Sequence, residues 1–145
     1  MYFVDRDKIE QILVFMNDQL SMLNNHKQWE TSIEKLGLER IGHTLIESVL
    51  DVGNSMIDGF IMRDPGSYED IIDILLDETV IDEAMSNDLK KLIGERKGLV
   101  QEYTEIDHEE LKRILGDVHS TLEHFPVHIR RYLENELGPV SAFKN

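Results

Sequence analysis

Leu38-Glu39-Arg40-Ile41-Gly42-His43-Thr44-Leu45-Ile46-Glu47-Ser48-Val49-Leu50-Asp51-Val52 forms the centre of the longest periodic run in this chain, from near Thr31 or Ser32 to about Met62. Ile33, Leu36, Ile41, Leu45, Val49, Val52, Met56 and Phe60 recur in it, mostly at three- and four-residue steps. That spacing puts them on one stripe of a helix, a long one for a small domain. Gly37, Gly42, Gly53 and Gly59 lie inside the run. Each costs about 1 kcal/mol relative to alanine in a helix interior, so close packing against a neighbouring helix is the expected compensation.

Outward from this run the same period continues. Ile9, Ile12, Leu13, Met16, Leu20 and Leu23 predict a helix over Asp5–Asn24, with Asp5 as N-cap. Arg63-Asp64-Pro65-Gly66 reads as a stop and turn. Ser67, with Asp70 three residues on, resembles a capping box for a short helix to about Asp77, its Ile71, Ile74 and Leu75 inward. Either Asp82 or Ser86 can cap the next helix, which carries Leu89, Leu92, Ile93, Leu99 and Val100 and frays near Tyr103. From Asp107 an amphipathic run holds Leu111, Ile114, Leu115, Val118 and Leu122. Pro126 is expected to interrupt it, and a last piece reaches Leu137 before Gly138-Pro139. No alternating strand pattern occurs. The expectation is an all-α, up-and-down bundle of five or six helices forming one domain over residues 1–145, without linker or repeat.

Composition narrows the chemistry. In 145 residues, 29 acidic and 15 basic side chains leave a formal net charge of −14, and 41% of residues are hydrophobic. That fraction is ample for a core and argues against disorder. The absence of cysteine removes disulfides, thiolate zinc sites, iron–sulfur clusters and a cysteine nucleophile. Met1 to Asp7 carry acids where a secretory leader carries bases, and apolar runs such as Ile12 to Met16 fall far short of the roughly 20 residues that span a bilayer. A soluble cytoplasmic protein that does not enter membranes is expected. A pI near 4.7 disfavours nonspecific attraction to nucleic acid unless bases are concentrated locally.

Neither a phosphate-binding glycine loop nor a Gly-x-Ser-x-Gly nucleophile turn is present. His124 and His128, and likewise His119 and Glu123, have the four-residue spacing of metal ligands on a helix, but Pro126 disturbs the first pair, and ordinary surface histidines are the favoured reading. Asp70, Asp73 and Asp77 read as the solvated side of a short helix. More informative is Arg96-Lys97-Gly98-Leu99-Val100-Gln101-Glu102-Tyr103. On one helix Arg96, Leu99, Val100 and Tyr103 share a face, which is compatible with a plain inward stripe with polar tips at its rim. Lys90, Lys91, Arg96 and Lys97 nevertheless form the densest basic cluster, of a sign that suits phosphate.

This segment resembles the signature of the HepT family: arginine, four residues, histidine, any residue, tyrosine. Gln101 stands at the histidine position. Leu38 to Glu47 also resembles that family's long second helix, and helix order agrees over nearly the whole chain. The family belongs to the HEPN superfamily, all-helical domains that typically form homodimers and include metal-independent ribonucleases. The resemblance implies a toxin-type ribonuclease without metal or cofactor, acting on RNA and silenced by a minimal nucleotidyltransferase antitoxin that adenylylates the motif tyrosine. Arg96 would then bind and polarise the scissile phosphate, Lys97 would add charge where the family often has asparagine, Gln101 would occupy the proton-transfer position, and Tyr103 would be both site residue and modification target.

Attack by a ribose 2′-hydroxyl needs a base and an acid, and glutamine does not titrate near neutrality. Impaired activity is therefore expected, with a noncatalytic nucleotide-binding or protein-interaction module as the alternative. His108 lies seven residues beyond Gln101 and reaches the site only by a fold-back or from a dimer partner. Arg96 and Gln101, five positions apart, lie about 140° from one another on an unbroken helix, so convergence requires a loosened turn at Gly98 or two copies about a twofold axis.

Overall fold

Side-chain oxygens open five of the helices in the computed structural model, which describes residues 2–138; Met1 and the stretch from Pro139 onward, including the expected Gly138-Pro139 stop's proline, lie outside the described residues. Asp5 accepts the Lys8 N–H at the start of α1 (Arg6–Asn25). Thr31 and Glu34 form a reciprocal capping box for α2 (Ser32–Gly59). Ser67 accepts the Asp70 N–H for α3 (Tyr68–Asp77), but only half a box forms, because the Asp70 carboxylate is engaged by Arg63 and the Gly66 N–H. Asp82, not Ser86, caps α4 (Glu83–Ile93), and Ser86 is buried within that helix. After the short α5 (Arg96–Val100), Asp107 caps α6 (His108–Asp117), and α7 (His119–Leu137) completes the order. Six helices of ten residues or more and one of five make an all-α bundle, with no strand among the described residues.

The spine is α2, about 42 Å long at 1.5 Å per residue, packed on by α1, α3, α5 and α6. Leu38, Ile41, Leu45, Ile46, Val49, Leu50, Val52, Met56 and Ile57 are buried on it. Burying side chains of this size stabilises by roughly 1.5–3 kcal/mol each as an upper estimate, which outweighs about 4 kcal/mol of helix propensity lost at its four glycines. Two of those glycines permit the close approach directly: a Cβ at Gly53 would sit 2.5 Å from Ile71 Cγ2 of α3, and one at Gly42 would sit 3.2 Å from Leu111 Cδ1 of α6. Ile33 and Leu36, expected inward, are exposed; the first turns of α2 project past the core, and burial begins at Leu38.

Three boundaries differ from the sequence expectation. α2 stops at Gly59 instead of Met62, because Ile61 turns left-handed (φ 56°) and Met62 N–H reaches back to Ile57 O at 2.9 Å. This is a Schellman ending without the glycine that normally signals one. The helix expected from Asp82 to about Tyr103 breaks at Gly94-Glu95, where Glu95 N–H bonds Leu92 O and the chain tightens before α5. Conversely, Pro126 does not interrupt α7. The break lies at Val118 (φ −97°, ψ 5°), and Pro126 is buried inside a continuous helix. The missing N–H leaves the Leu122 carbonyl without its usual donor, while the ring adds to the core face that holds Leu122, Phe125 and Ile129.

Ile61 is 71% exposed, so its side chain gains little from the fold while its backbone sits in a region that disfavours L-residues. Replacing Ile61→Gly is expected to raise unfolding free energy by about 1 kcal/mol; urea denaturation monitored by circular dichroism checks it, and a decrease would show that Ile61 contributes packing.

Candidate active site

Glu39, His43 and Glu47 follow one another at four-residue steps along α2 and therefore share a face. Two side chains from later in the chain dock on that stripe. Arg96 Nε donates to Glu47 Oε1 at 2.7 Å, and His108 Nε2 pairs with Glu39 Oε2 at 2.7 Å. His43 Nε2 lies 3.7 Å from the same Glu47 oxygen that holds Arg96. His108 is thus committed to α2 through Glu39, and the imidazole that shares a carboxylate with Arg96 is His43, which the sequence reading did not single out.

Arg96 is anchored but not exhausted. Its guanidinium carbon stands 4.4 Å above the centre of the Tyr68 ring, a cation–π contact. Glu47 takes only the Nε–H, so the terminal Nη groups make no hydrogen bond among the described residues. The Glu47 hydrogen bond raises the guanidinium pKa above its ordinary value, so the side chain is cationic at any working pH. Two free Nη donors on a fixed stem are the part of arginine that grips phosphate in bidentate fashion.

A cleft of about 380 Å³ opens here, bounded by Ser67, Tyr68 and Glu69 at the start of α3, by Ile93-Gly94, and by Arg96, Lys97 and Gln101. The structure thus brings Arg96, Lys97 and Gln101 to one cavity despite their angular offset. The cavity is wide enough to be rimmed by both ends of α5, and the helix opens where Glu102 N–H reaches back five residues to Lys97 O. Tyr103 does not join them. It lies in the turn after Val100 and is 68% exposed, so the inward stripe of Arg96, Leu99, Val100 and Tyr103 does not form.

Nor does the basic cluster act as one patch. Lys90 pairs with Asp73, Lys91 with Asp117 and Arg96 with Glu47, leaving Lys97 as the member without an ion pair among the described residues. Asp70 and Asp77 likewise are not simply solvated, since both engage Arg63. A second cavity of about 340 Å³ adjoins the first at Gly94 and Lys97, which border both, and its acidic lining is Glu95, Glu102, Glu105, Asp107 and Glu110. Burial, with Glu110 and Asp107 nearby, pushes the Glu95 carboxyl above its usual range. An anion approaching α5 therefore meets Arg96 on the Tyr68 side and an excess of carboxylates in the second cavity, with Lys97 between the two. Of the two spaced pairs, His119 meets Glu123 at 2.9 Å, whereas His124 turns its Nδ1–H to Ser120 O at 2.7 Å instead of to His128.

Residues 7–129 match the model of the ribonuclease HepT-like family. The chain belongs to that family. A protein of Bacillus subtilis (strain 168) named "Putative RNase YutE" is 57% identical over 144 residues, which cover 99% of this chain and 100% of the relative. The solved structure of Bacillus subtilis YutE, described as a cytosolic protein of unknown function, superimposes with a TM-score of 0.96 at 57% identity, over 99% of this chain and 100% of that one. Two distant structures share the fold. A toxin–antitoxin with AMP-PNP gives a TM-score of 0.73 at 15% identity, over 86% of this chain and 96% of the other. A mutant of the toxin–antitoxin MntA–HpeT gives 0.75 at 18% identity, over 86% and 98%. No helix among the described residues is long and apolar enough to cross a membrane.

Within this HepT-like frame, the wall of the cleft that carries Tyr68 is fixed by one carboxylate. Asp70 accepts two N–H groups of Arg63 at 2.8 Å and the Gly66 N–H at 2.8 Å, closing the turn that presents Ser67 and Tyr68. These donors hold the Asp70 carboxyl at about 2, below its ordinary 3.8. A carboxylate depressed in the folded state contributes stability above its unfolded pKa and loses it as pH falls through the folded value. Between pH 4 and 2 the thermal midpoint of Asp70→Asn is accordingly expected to fall less steeply than that of the parent chain, from a lower starting value at pH 6; parallel slopes would remove Asp70 from the acid sensitivity.

Proposed function

We propose that this chain is an RNA-binding HepT-like ribonuclease in which the cleft beside α5 receives the scissile phosphate and turnover is impaired by Gln101. The observation that carries the reading is the meeting of Arg96, Lys97 and Gln101 on one cavity in a member of a ribonuclease family. Arg96, oriented by Glu47 through Nε, offers its Nη groups to the nonbridging oxygens, and Lys97 adds a second positive charge. The 2′-hydroxyl attacks phosphorus and the 5′-oxygen leaves, so one proton must be removed and one supplied. Gln101 can donate a hydrogen bond to a phosphate oxygen but cannot carry either proton. Losing that assistance costs about 10²–10⁴ in rate.

The same residue favours a second reading, a nucleotide-binding or protein-interaction module that retains the groove without chemistry. One substitution separates them. Total transfer RNA incubated with purified protein is expected to be cleaved slowly, not at all after Arg96→Ala, and faster by about 10²-fold after Gln101→His. Cleavage unaffected by Arg96→Ala overturns the active-site assignment, and a Gln101→His protein that binds RNA without cutting it leaves the noncatalytic module.

Regulation and assembly extend the proposal. The chain pairs as a homodimer in the cytoplasm, and its partner is a minimal nucleotidyltransferase antitoxin. The antitoxin partner is supported by the resemblance of the motif and by the toxin–antitoxin structures that share the fold, and the dimer by the resemblance alone. Tyr103 is the modification target. Its exposure beyond the end of α5 leaves the hydroxyl open to a nucleotidyltransferase active site. Attack of that oxygen on the α-phosphorus of ATP forms the adenylyl ester and releases pyrophosphate. After co-expression with a nucleotidyltransferase encoded beside the gene, mass spectrometry is expected to find adenylyl groups on Tyr103 and none on a Tyr103→Phe protein; an unmodified Tyr103 overturns this control.

A further inference from the structure

Tyr68 occupies the first turn of α3 and lies outside the hydrophobic core cluster. The residue is 49% exposed, and its hydroxyl makes no hydrogen bond among the described residues. What it does touch is the Arg96 guanidinium, 4.4 Å from the ring centre, and both groups border the same cleft as Lys97 and Gln101. A large aromatic that neither packs in the core nor anchors its hydroxyl is held at the wall of a cavity, with the Arg96 guanidinium over one face of its ring.

We infer that Tyr68 is the stacking platform of a nucleobase subsite for single-stranded RNA, adjoining the phosphate position at Arg96, with the Gln101 amide at the edge of the stacked base. The inference rests on the reading of this cleft as an RNA site and adds what that reading lacks, a means of holding the base. The cavity, about 380 Å³, falls within the range of small-ligand pockets. Arg96 and Lys97 attract the phosphate, while Glu69 on the α3 wall repels it and leaves the uncharged base to the ring face that Arg96 does not cover. Aromatic stacking tolerates any base because each has a π-face. The Gln101 amide carries both donors and an acceptor, so it can read a base edge. In a duplex those faces and edges are occupied, which restricts the subsite to unpaired nucleotides. Gln101 is then a reader in place of a proton carrier.

The probes are a fluorescein-labelled, fully 2′-deoxy hexanucleotide, which cannot undergo 2′-hydroxyl attack, and an abasic chain of the same length and charge, both followed by fluorescence anisotropy. The parent protein is expected to bind the base-bearing probe about tenfold or more tighter. Tyr68→Leu should bring that preference, read as the ratio of the two affinities, close to one, and Tyr68→Phe should preserve it. Arg96→Ala should weaken both probes. Equal binding of the two probes by the parent, a preference that survives Tyr68→Leu, or a Phe variant that behaves like the Leu variant overturns the subsite. Transfer-RNA cleavage that depends on Arg96 but is accompanied by no base preference removes the subsite and keeps the ribonuclease. A Tyr68-dependent preference without cleavage by either the parent or Gln101→His does the reverse. Absence of binding to both probes removes both.

Discussion

The burial of α2 on several sides at once is the constraint from which the rest of the molecule follows. A helix contacted by α1, α3, α5 and α6 cannot show a single narrow apolar stripe, and its small residues must fall where neighbours cross. Gly42 beneath Leu111 and Gly53 beneath Ile71 meet that demand. The part of α2 left over, the Glu39–His43–Glu47 face, becomes the rail on which Arg96 and His108 are held. The core and the candidate site are thus two faces of one helix.

Charge follows the same logic on a smaller scale. A chain with a net charge of −14 is a poor polyanion binder as a whole. Local pairing decides where an anion can go. Lysines at 90 and 91 are neutralised by aspartates, five carboxylates gather in the neighbouring cavity, and Arg96, with Lys97 on the border of both cavities, has donors to spare at the Tyr68 side. The Arg96–Glu47 pair does not cancel the arginine. Because it engages only Nε, it orients the fork and leaves both ends of it available.

Much of the fold was readable before any coordinates. The caps read at Asp5, Ser67 and, as one of two candidates, Asp82, and the helix starts read near Thr31 and Asp107, rest on local chemistry, a side-chain oxygen meeting an N–H three residues on, and local chemistry survives folding. Helix endings were less readable. Ile61 adopts the left-handed turn that glycine usually announces, the break expected at Pro126 occurs at Val118, and the run from Asp82 to Tyr103 is cut at Gly94-Glu95. In each case packing of the bundle overrides the preference of the residue.

By itself, the sequence determined that the chain is helical, in what order its helices run and to which family it belongs, because periodicity and a short motif are properties of neighbours along the chain. It also put Arg96, Lys97 and Gln101 in one short segment, though not on one helical face. Only the tertiary structure decided that Tyr68, 28 positions earlier, lies under Arg96, that Glu47 aims that arginine, that Tyr103 stands apart, and that His108 is bound to Glu39. Those relations depend on how separate helices are set against one another, and the free energy that sets them is spread over the whole buried surface of α2 instead of residing in any motif.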